Sequence, residues 1–381
     1  MYNNTDMDNQ TFRELGISQK MLEILHKFNF VTPTPIQVTA IPAAQRGEDV
    51  IGIAQTGTGK TLAFGIPMLE RLTGPKEIGL ILLPTRELAV QVNEALLQIG
   101  ADYGLRTALL IGGENIKNQI TQLRNWPRII IATPGRLIDH LNKKTISLAD
   151  VKILVLDEAD RMLDMGFKPQ INRILEEVNR DRQTMLFSAT MPPEITRIAN
   201  NYMKTPVRIE VAPSGSTVLN VTQEIFLLHK DDKLMMLKKL LKHFKGTVLI
   251  FTRTKYGAKR LTSTIHHMGH SVAEIHSNRT LNQRFEALEG FKKGKYRVLV
   301  ATDIASRGID VTGIELVLNY DLPEAAEDYV HRIGRTARAG QKGVAVSFAT
   351  PDQKKDIKAI ERLIKKQLKV SELPPTSRHS R

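Results

Sequence analysis

Two tandem α/β domains, each a mostly parallel sheet covered by helices, are predicted by three features of the 381-residue sequence. Short runs such as LILLP, ILVLD, VLIFT and VLVAT are apolar on both faces, as strands of a helix-covered parallel sheet must be. Longer stretches of helical periodicity separate them, and strand–helix alternation builds doubly wound sheets. The length itself, at about 150 residues per domain, suggests two or three domains.

In the first half, strands are expected at 49–53, 79–83, 107–111, 129–132, 153–156 and 184–188. In the second they are expected at 224–228, 247–251, 272–275, 298–301, 316–319 and 343–348. Helical patterns lie between them, for example at 86–100, 233–244, 256–268 and 282–291. The segment APSGSTVLN gathers Pro, Gly, Ser and Asn without periodicity, which places a linker at 209–222 between domains 1–208 and 223–370. Beyond Asp352, Ile357, Ile360, Ile364 and Leu368 share one helical face that docks on the second domain, leaving 371–381 as a frayed tail. No short repeat or low-complexity tract is present.

Composition narrows the function. A hydrophobic fraction of 41% supplies packed cores and excludes a disordered or fibrous chain. With no cysteine, disulfides, zinc fingers and thiol nucleophiles are impossible. The N-terminus, MYNNTDMDNQ, is polar and acidic rather than a secretion signal, and no run approaches a membrane span. A soluble, cytoplasmic, monomeric protein is expected. The formal net charge is +14, unevenly placed. Residues 1–208 hold 24 basic and 22 acidic residues, whereas 209–381 hold 30 and 18. Such asymmetry suggests a polyanionic partner, nucleic acid before acidic lipid, with a merely solubilising surface as the alternative.

The segment Ala54-Gln55-Thr56-Gly57-Thr58-Gly59-Lys60-Thr61 follows the strand VIGIA and precedes a helical pattern. That is the context of a phosphate-binding loop. Gly57 and Gly59 let backbone N–H groups turn toward phosphate oxygens at a helix N-terminus. Lys60 can neutralise the β- and γ-phosphates of a nucleotide, and Thr61 places a hydroxyl where Mg²⁺ would sit. The strand KILVL ends in Asp157-Glu158-Ala159-Asp160. Carboxylates at the C-terminal end of a parallel strand face the crevice where α/β sheets bind ligands. Asp157 would hold the metal through water, and Glu158 would activate an attacking water as general base.

At these residues the chain resembles the DEAD-box ATP-dependent RNA helicases of superfamily 2, from about Phe12 to the tail, as a minimal bacterial-type core. The resemblance implies two RecA-like domains. N29-F-V-T-P-T-P-I-Q37 is similar to the family's Q motif, in which Gln37 would read the adenine edge. Phe12 matches the isolated aromatic that stacks on the base. P84-T-R-E-L-A89, Gly112-Gly113 and T133-P-G-R136 look like RNA-contacting loops, making Arg86, Gly113, Thr133 and Arg136 candidate RNA contacts. Ser188-Ala189-Thr190 resembles the segment coupling hydrolysis to strand separation.

In the second half, L249-I-F-T-R-T254 and A301-T-D-I-A-S-R-G-I-D310 resemble motifs IV and V. Arg253, Thr302 and Gly308 become candidate RNA contacts, and Asp310 a ribose contact. In H331-R-I-G-R-T-A-R338, the resemblance makes Arg335 and Arg338 arginine fingers and His331 a coupling residue. The fingers would share one face if the segment were helical. Three departures stand out: Asn29 and Ala337 where Gly is usual, and Ser277 with Leu281 in H276-S-N-R-T-L-N-Q-R284, where Arg284 is retained as an RNA contact.

The expected activity is RNA-stimulated ATP hydrolysis driving local, sequence-independent opening of short RNA duplexes or RNP remodelling. The cofactors would be ATP and Mg²⁺. Partners would be the RNA sugar–phosphate backbone and proteins of ribosome assembly or RNA decay. Two rivals remain open: an annealing or clamp protein with secondary ATPase activity, and a DNA helicase or translocase.

Overall fold

The computed structural model describes residues 10–55, 57–74, 76–211, 221–303, 311, 313–336 and 343–371. The chain divides into two units, Met1–Ser214 and Gly215–Arg381.

In the first unit, α1 (Gln19–Lys27) and α2 (Pro35–Gln45) lead into β1 (Val50–Ile53) and α3 (Lys60–Arg71). Then follow β2 (Ile78–Leu82), α4 (Arg86–Gly100), β3 (Thr107–Leu110), α5 (Ile116–Arg124), β4 (Ile129–Ala132) and α6 (Pro134–Asn142). The unit closes with β5 (Val151–Leu156), α7 (Ala159–Asp164), α8 (Lys168–Glu177), β6 (Gln183–Ser188), α9 (Pro193–Tyr202) and β7 (Val207–Glu210). The strands form one seven-stranded sheet in the order β3-β4-β2-β5-β6-β1-β7, every pair parallel.

The second unit runs β8 (Val221–Leu227), α10 (Lys233–His243), β9 (Val248–Phe251), α11 (Lys255–His267), β10 (Val272–Ile275), α12 (Leu281–Lys292) and β11 (Val298–Ala301). It continues with β12 (Leu316–Asn319), the helix Ala326–Ile333, β13 (Gly343–Ala349), the helix Lys354–Ile364 and β14 (Lys369–Ser371). Its sheet order is β10-β11-β9-β12-β13-β8-β14, again all parallel.

The doubly apolar strands are explained by alternation. Val248 and Ile250 of β9 join one core with Val298, Val300, Leu316 and Leu318. Leu249 and Phe251 point the other way and join a second core with Leu299, Ala301 and Val317. Each face is therefore covered, and each large side chain so buried contributes about 1.5–3 kcal/mol.

Many helix starts are written in the sequence as caps. Thr85 Oγ1 accepts from the Leu88 N–H (3.3 Å), Thr254 Oγ1 from Gly257 (3.0 Å) and Thr280 Oγ1 from Gln283 (3.3 Å). Thr34 and Gln37 form a capping box with Pro35 in the first turn of α2. Asn29, where Gly is usual, adopts φ +58° just past the end of α1. Asparagine tolerates this left-handed conformation, so the turn survives the exchange.

Four expectations need correction. The first domain does not end at 208, because β7 runs to Glu210 along β1. The second begins earlier than 223, with β8 at Val221. Residue 371, expected in the tail, pairs in β14, which adds to β8. Both missed strands are short sheet edges, VRIE and KVS, half polar and recognisable only by their partners. The last helix stops at Ile364, where Lys365 takes φ +52°, yet Leu368 still joins the same core as Ile357, Ile360 and Ile364. Residues 212–220 of the linker and 372–381 of the tail lie outside the described residues.

Candidate functional site

The glycine-rich loop leaves the buried strand β1 and leads directly into α3. Ala54 donates to the Ser188 carbonyl (2.9 Å), prolonging the β1–β6 ladder into the loop. Thr58 Oγ1 donates to the Gln55 carbonyl (2.8 Å), closing the turn. Gly57 and Gly59 take φ +87° and +90°. At Gly59 a Cβ would also lie only 2.4 Å from Gln37 Nε2, so both backbone and space require glycine. Lys60 opens α3 and is buried. Its ammonium lies 3.3 Å from the Ala54 carbonyl and 3.4 Å from Asp157 Oδ1. Thr61 follows on the first turn of α3, half-buried, as is Gln55.

Gln37 ties the Q motif to this loop. Its Oε1 accepts from the Thr34 N–H (2.9 Å), and its Nε2 donates to the Gly59 carbonyl (3.0 Å). The amide retains one further acceptor and one further donor position. Phe12 lies in the 3₁₀ turn Phe12–Leu15, which packs against α2, and its ring is buried.

Asp157 and Glu158 follow β5, near the end of β1 because only β6 separates the two strands. Asp157 is buried, and burial pushes its carboxyl above the ordinary carboxylate range, opposed mainly by Lys60. Glu158 occupies φ +53° and is also buried. Arg161 Nη1, three residues on, reaches its Oε2 at 3.0 Å. This buried pair holds the Glu158 carboxylate in one orientation.

Asp160 joins the acidic segment to Ser188-Ala189-Thr190. Its Oδ2 accepts from the N–H groups of Ala189 (3.1 Å) and Thr190 (2.8 Å) and from Thr190 Oγ1 (2.8 Å). Its own N–H donates to Ser188 Oγ (3.2 Å). Sequence reasoning assigned Asp160 and Arg161 no role. The available signals were the fourth letter of the tetrad and the i,i+3 spacing from Glu158.

The other first-unit loops lie at the C-terminal ends of β2, β3 and β4. Arg86 opens α4 beside Gly112-Gly113; a Cβ on Gly113, at φ +82°, would fall 2.3 Å from its Nη1. Thr133 is buried at the start of α6. Arg136 is half-buried, donating to Gln119 Oε1 (2.8 Å) and the Glu114 carbonyl (2.6 Å). Gln119 in turn donates to the Ile111 carbonyl (2.8 Å) and meets His140 Nε2 (2.9 Å).

In the second unit, Arg253 is exposed after β9, its N–H donating to Asp321 Oδ2 (3.1 Å). Arg284 is half-buried on α12. Thr302 follows β11 and is buried, with its N–H on the Ile275 carbonyl (3.2 Å). Leu281 is the first residue of α12, and Gln283 supplies that helix's capping box. His331 is half-buried on the helix Ala326–Ile333. That helix ends before Arg335, with Gly334 as its cap, so helical spacing does not extend to the two arginines. Arg335 instead sits in the following turn, buried, its N–H on the Arg332 carbonyl (3.2 Å). Thr56, Gly308, Asp310, Ala337 and Arg338 lie outside the described residues.

Arg332, which sequence reasoning passed over, is the hub here. It grips Asp303 through two bonds (2.5 and 2.6 Å), and donates to Asn319 Oδ1 (3.0 Å) and the Asp321 carbonyl (2.7 Å). Its guanidinium lies 5.0 Å from the centre of the Phe251 ring.

Among the described residues no helix is long and apolar enough to cross a membrane. Residues 34–198 match the DEAD/DEAH box helicase family, and 232–340 match the helicase conserved C-terminal domain. The chain is 44% identical over 367 residues to the DEAD-box ATP-dependent RNA helicase CshA of Bacillus cereus, covering 96% of this chain and 70% of that protein. For CshA of Geobacillus kaustophilus the identity is 43% over 369 residues, with 96% and 79% covered. Saccharomyces cerevisiae Dbp5 bound to RNA and ADP BeF3 superposes with a TM-score of 0.83 at 31% identity, covering 96% of this chain and 95% of Dbp5. Mss116p bound to ssRNA and AMP-PNP gives 0.87 at 27% identity, covering 97% and 81%. With both halves matched and this identity sustained along its length, the chain belongs to the DEAD-box family of ATP-dependent RNA helicases.

Proposed function

We propose that this chain hydrolyses ATP in response to RNA and uses the cycle to open short duplexes or remodel RNA–protein complexes locally. The observation that carries this reading is one connected set of bonds. It runs from Gln37 to the Gly59 carbonyl, from Lys60 to Asp157, and from Asp160 to Thr190. A change at the phosphates is thereby felt at the Ser188–Thr190 segment.

In this reading Gln37 uses its remaining donor and acceptor on the adenine edge, with Phe12 against the base. Lys60 and the loop amides from Gln55 to Gly59 take the phosphates. The residues suit magnesium, since the Asp157 carboxylate and the Thr61 hydroxyl are hard oxygen donors. One buried carboxylate and one hydroxyl from the protein match an ion that keeps its waters and rests on substrate phosphates. Bound there, magnesium would neutralise charge on the transferring phosphoryl group. Glu158, aimed by Arg161, accepts the proton of the attacking water. Arg335 and Arg338 approach the γ-phosphate when ATP and RNA favour a closed state, with Asp310 on the ribose and His331 relaying to Ser188 and Thr190.

RNA is held by its backbone. Arg86, Gly113, Thr133 and Arg136 serve the first unit, and Arg253, Arg284, Thr302 and Gly308 the second. Such contacts read no sequence, so target choice would come from partners such as ribosome-assembly or RNA-decay proteins. A cytoplasmic monomer accords with this role. ATP turnover measured with no nucleic acid, with RNA and with DNA tests the reading. Stimulation by RNA, declining as salt rises, is expected; equal stimulation by DNA would favour a translocase, and none would favour a clamp.

A further inference from the structure

The loops discussed so far occupy the C-terminal ends of the strands. At the opposite end of the first sheet stands Trp126, the sole tryptophan of the sequence, 73% exposed. It lies between α5 and β4 at φ +51°, directly before the buried Pro127. A bulky residue ahead of proline takes this left-handed conformation only where its surroundings impose it. The surroundings are stiff: the Arg128 N–H donates to the Arg106 carbonyl (2.8 Å), and the Gly79 N–H to the Arg128 carbonyl (2.9 Å). The indole is thus presented outward by a pinned loop.

A cleft of about 300 Å³ opens beside it, lined by Lys76, Arg106, Arg128 and Tyr103, with Glu77 and Asp150 as its carboxylates. Glu77 already accepts from the Gly74 N–H (2.8 Å), and Arg128 Nη1 donates to the Leu72 carbonyl (2.5 Å). Lys76 and Arg106 are exposed and have no ion-pair partner among the described residues.

The helix α5 joins this corner to the Gly112-Gly113 loop. Its sequence, IKNQITQLR, contains no acid. Lys117 and Arg124 stand seven residues, two turns, apart on one face, both exposed and without an ion pair among the described residues. Exposed Thr121 lies between them. The helix spans about 13 Å.

We propose that this face is a second binding segment for single-stranded RNA. A strand leaving the Gly113 loop follows Lys117 and Arg124 with its phosphates, and one base stacks on Trp126 beside Arg106 and Lys76. The inference rests on the reading of the Gly113 loop as an RNA contact. An exposed aromatic face flanked by unpaired cations is the chemistry that takes a base and its phosphates without regard to sequence.

Because Trp126 is the only indole, its emission reports the site directly. The full chain titrated without ATP against an oligouridylate of about 20 nucleotides should show saturable quenching and lose access to acrylamide, the midpoint rising with salt. Changing Lys117→Ala with Arg124→Ala should move that midpoint about tenfold. Followed by the anisotropy of an end-labelled RNA, since these variants carry no indole, Trp126→Ala should weaken binding about five- to tenfold, and Trp126→Phe should retain it. Unmoved emission while RNA still stimulates ATP turnover overturns the inference, leaves the helicase reading intact and makes Trp126 a protein contact. If RNA stimulates nothing, the reading beneath it fails as well.

Discussion

Counted from its own first strand, each unit arranges its seven strands in the order 3-4-2-5-6-1-7, all parallel. Yet after β1 the chain runs AQTGTG into α3, while after β8 it runs LHKDD into α10. One loop turns twice through left-handed glycines and presents amides; the other is a short 3₁₀ turn, and its following Lys233 donates to the Tyr320 carbonyl and Asp321. The same scaffold therefore carries the loop proposed for nucleotide in one copy and a short 3₁₀ turn in its place in the other. Function in this protein resides in loops at equivalent strand ends, and the sheet only positions them.

That division of labour can be tested unit by unit. Lys60→Ala in the first unit should reduce RNA-stimulated phosphate release to background, a loss of at least ~10²-fold, together with weaker ATP binding. Retained turnover would break the assignment of the loop. Arg335→Ala in the second unit should leave equilibrium ATP binding near normal while slowing hydrolysis ~10³-fold or more. A rate within a few-fold of the parent would deny the second unit its catalytic part.

Arg332→Ala should destabilise the second unit by about 1.5–3 kcal/mol, since it removes the paired bonds to Asp303 and those to Asn319 and the Asp321 carbonyl. Urea unfolding should show that transition moving while the first unit still binds ATP; a loss below about 1 kcal/mol would demote the hub. Gly59→Ala should weaken ATP binding about tenfold through strain of ~1–3 kcal/mol. The overlap is with Gln37, so Gln37→Ala combined with Gly59→Ala should cost less than the sum.

The smallest effect concerns His140, fully buried against Gln119 and Thr145. Burial, then Arg136, lowers its pKa below the ordinary 6.5, with Lys143 adding to and Asp139 opposing the shift. The folded state thus favours the neutral ring. Below about pH 6.5 the unfolded chain gains a proton that the folded chain refuses, so first-unit stability falls until the folded pKa is passed. Thermal melts from pH 8 to pH 5 should show this decline, and His140→Gln should flatten it.

Much of this architecture was legible because its signals are local. Buried parallel strands must be apolar on both faces, and threonines such as Thr85, Thr254 and Thr280 cap the helices that follow. The left-handed Gly57 and Gly59 before a helix that starts at Lys60 were legible because that pattern is local in sequence. The contacts of Arg161, Asp160 and Arg332 were not, although Asp160 and Arg332 lie within recognised motifs and Arg161 directly follows one. An arginine in a buried pair and one on a solvated face look alike in sequence; only the packing around them tells which desolvation has been compensated. For the same reason Arg335 left the expected helical face, since Gly334 ends the helix.

The sequence by itself thus determined the strand–helix alternation and the family, and it pointed to the glycine-rich loop proposed for nucleotide. The tertiary structure decided the strand order, the two edge strands, the domain limits and the bonds joining Gln37 to Gly59 and Asp160 to Thr190. The physical reason is range. Periodicity, caps and loop glycines act between neighbours in the chain, whereas those bonds join residues 22 and 30 positions apart. Likewise, nothing in the sequence alone told the exposed Trp126 from a core aromatic, because exposure depends on what the rest of the fold leaves uncovered.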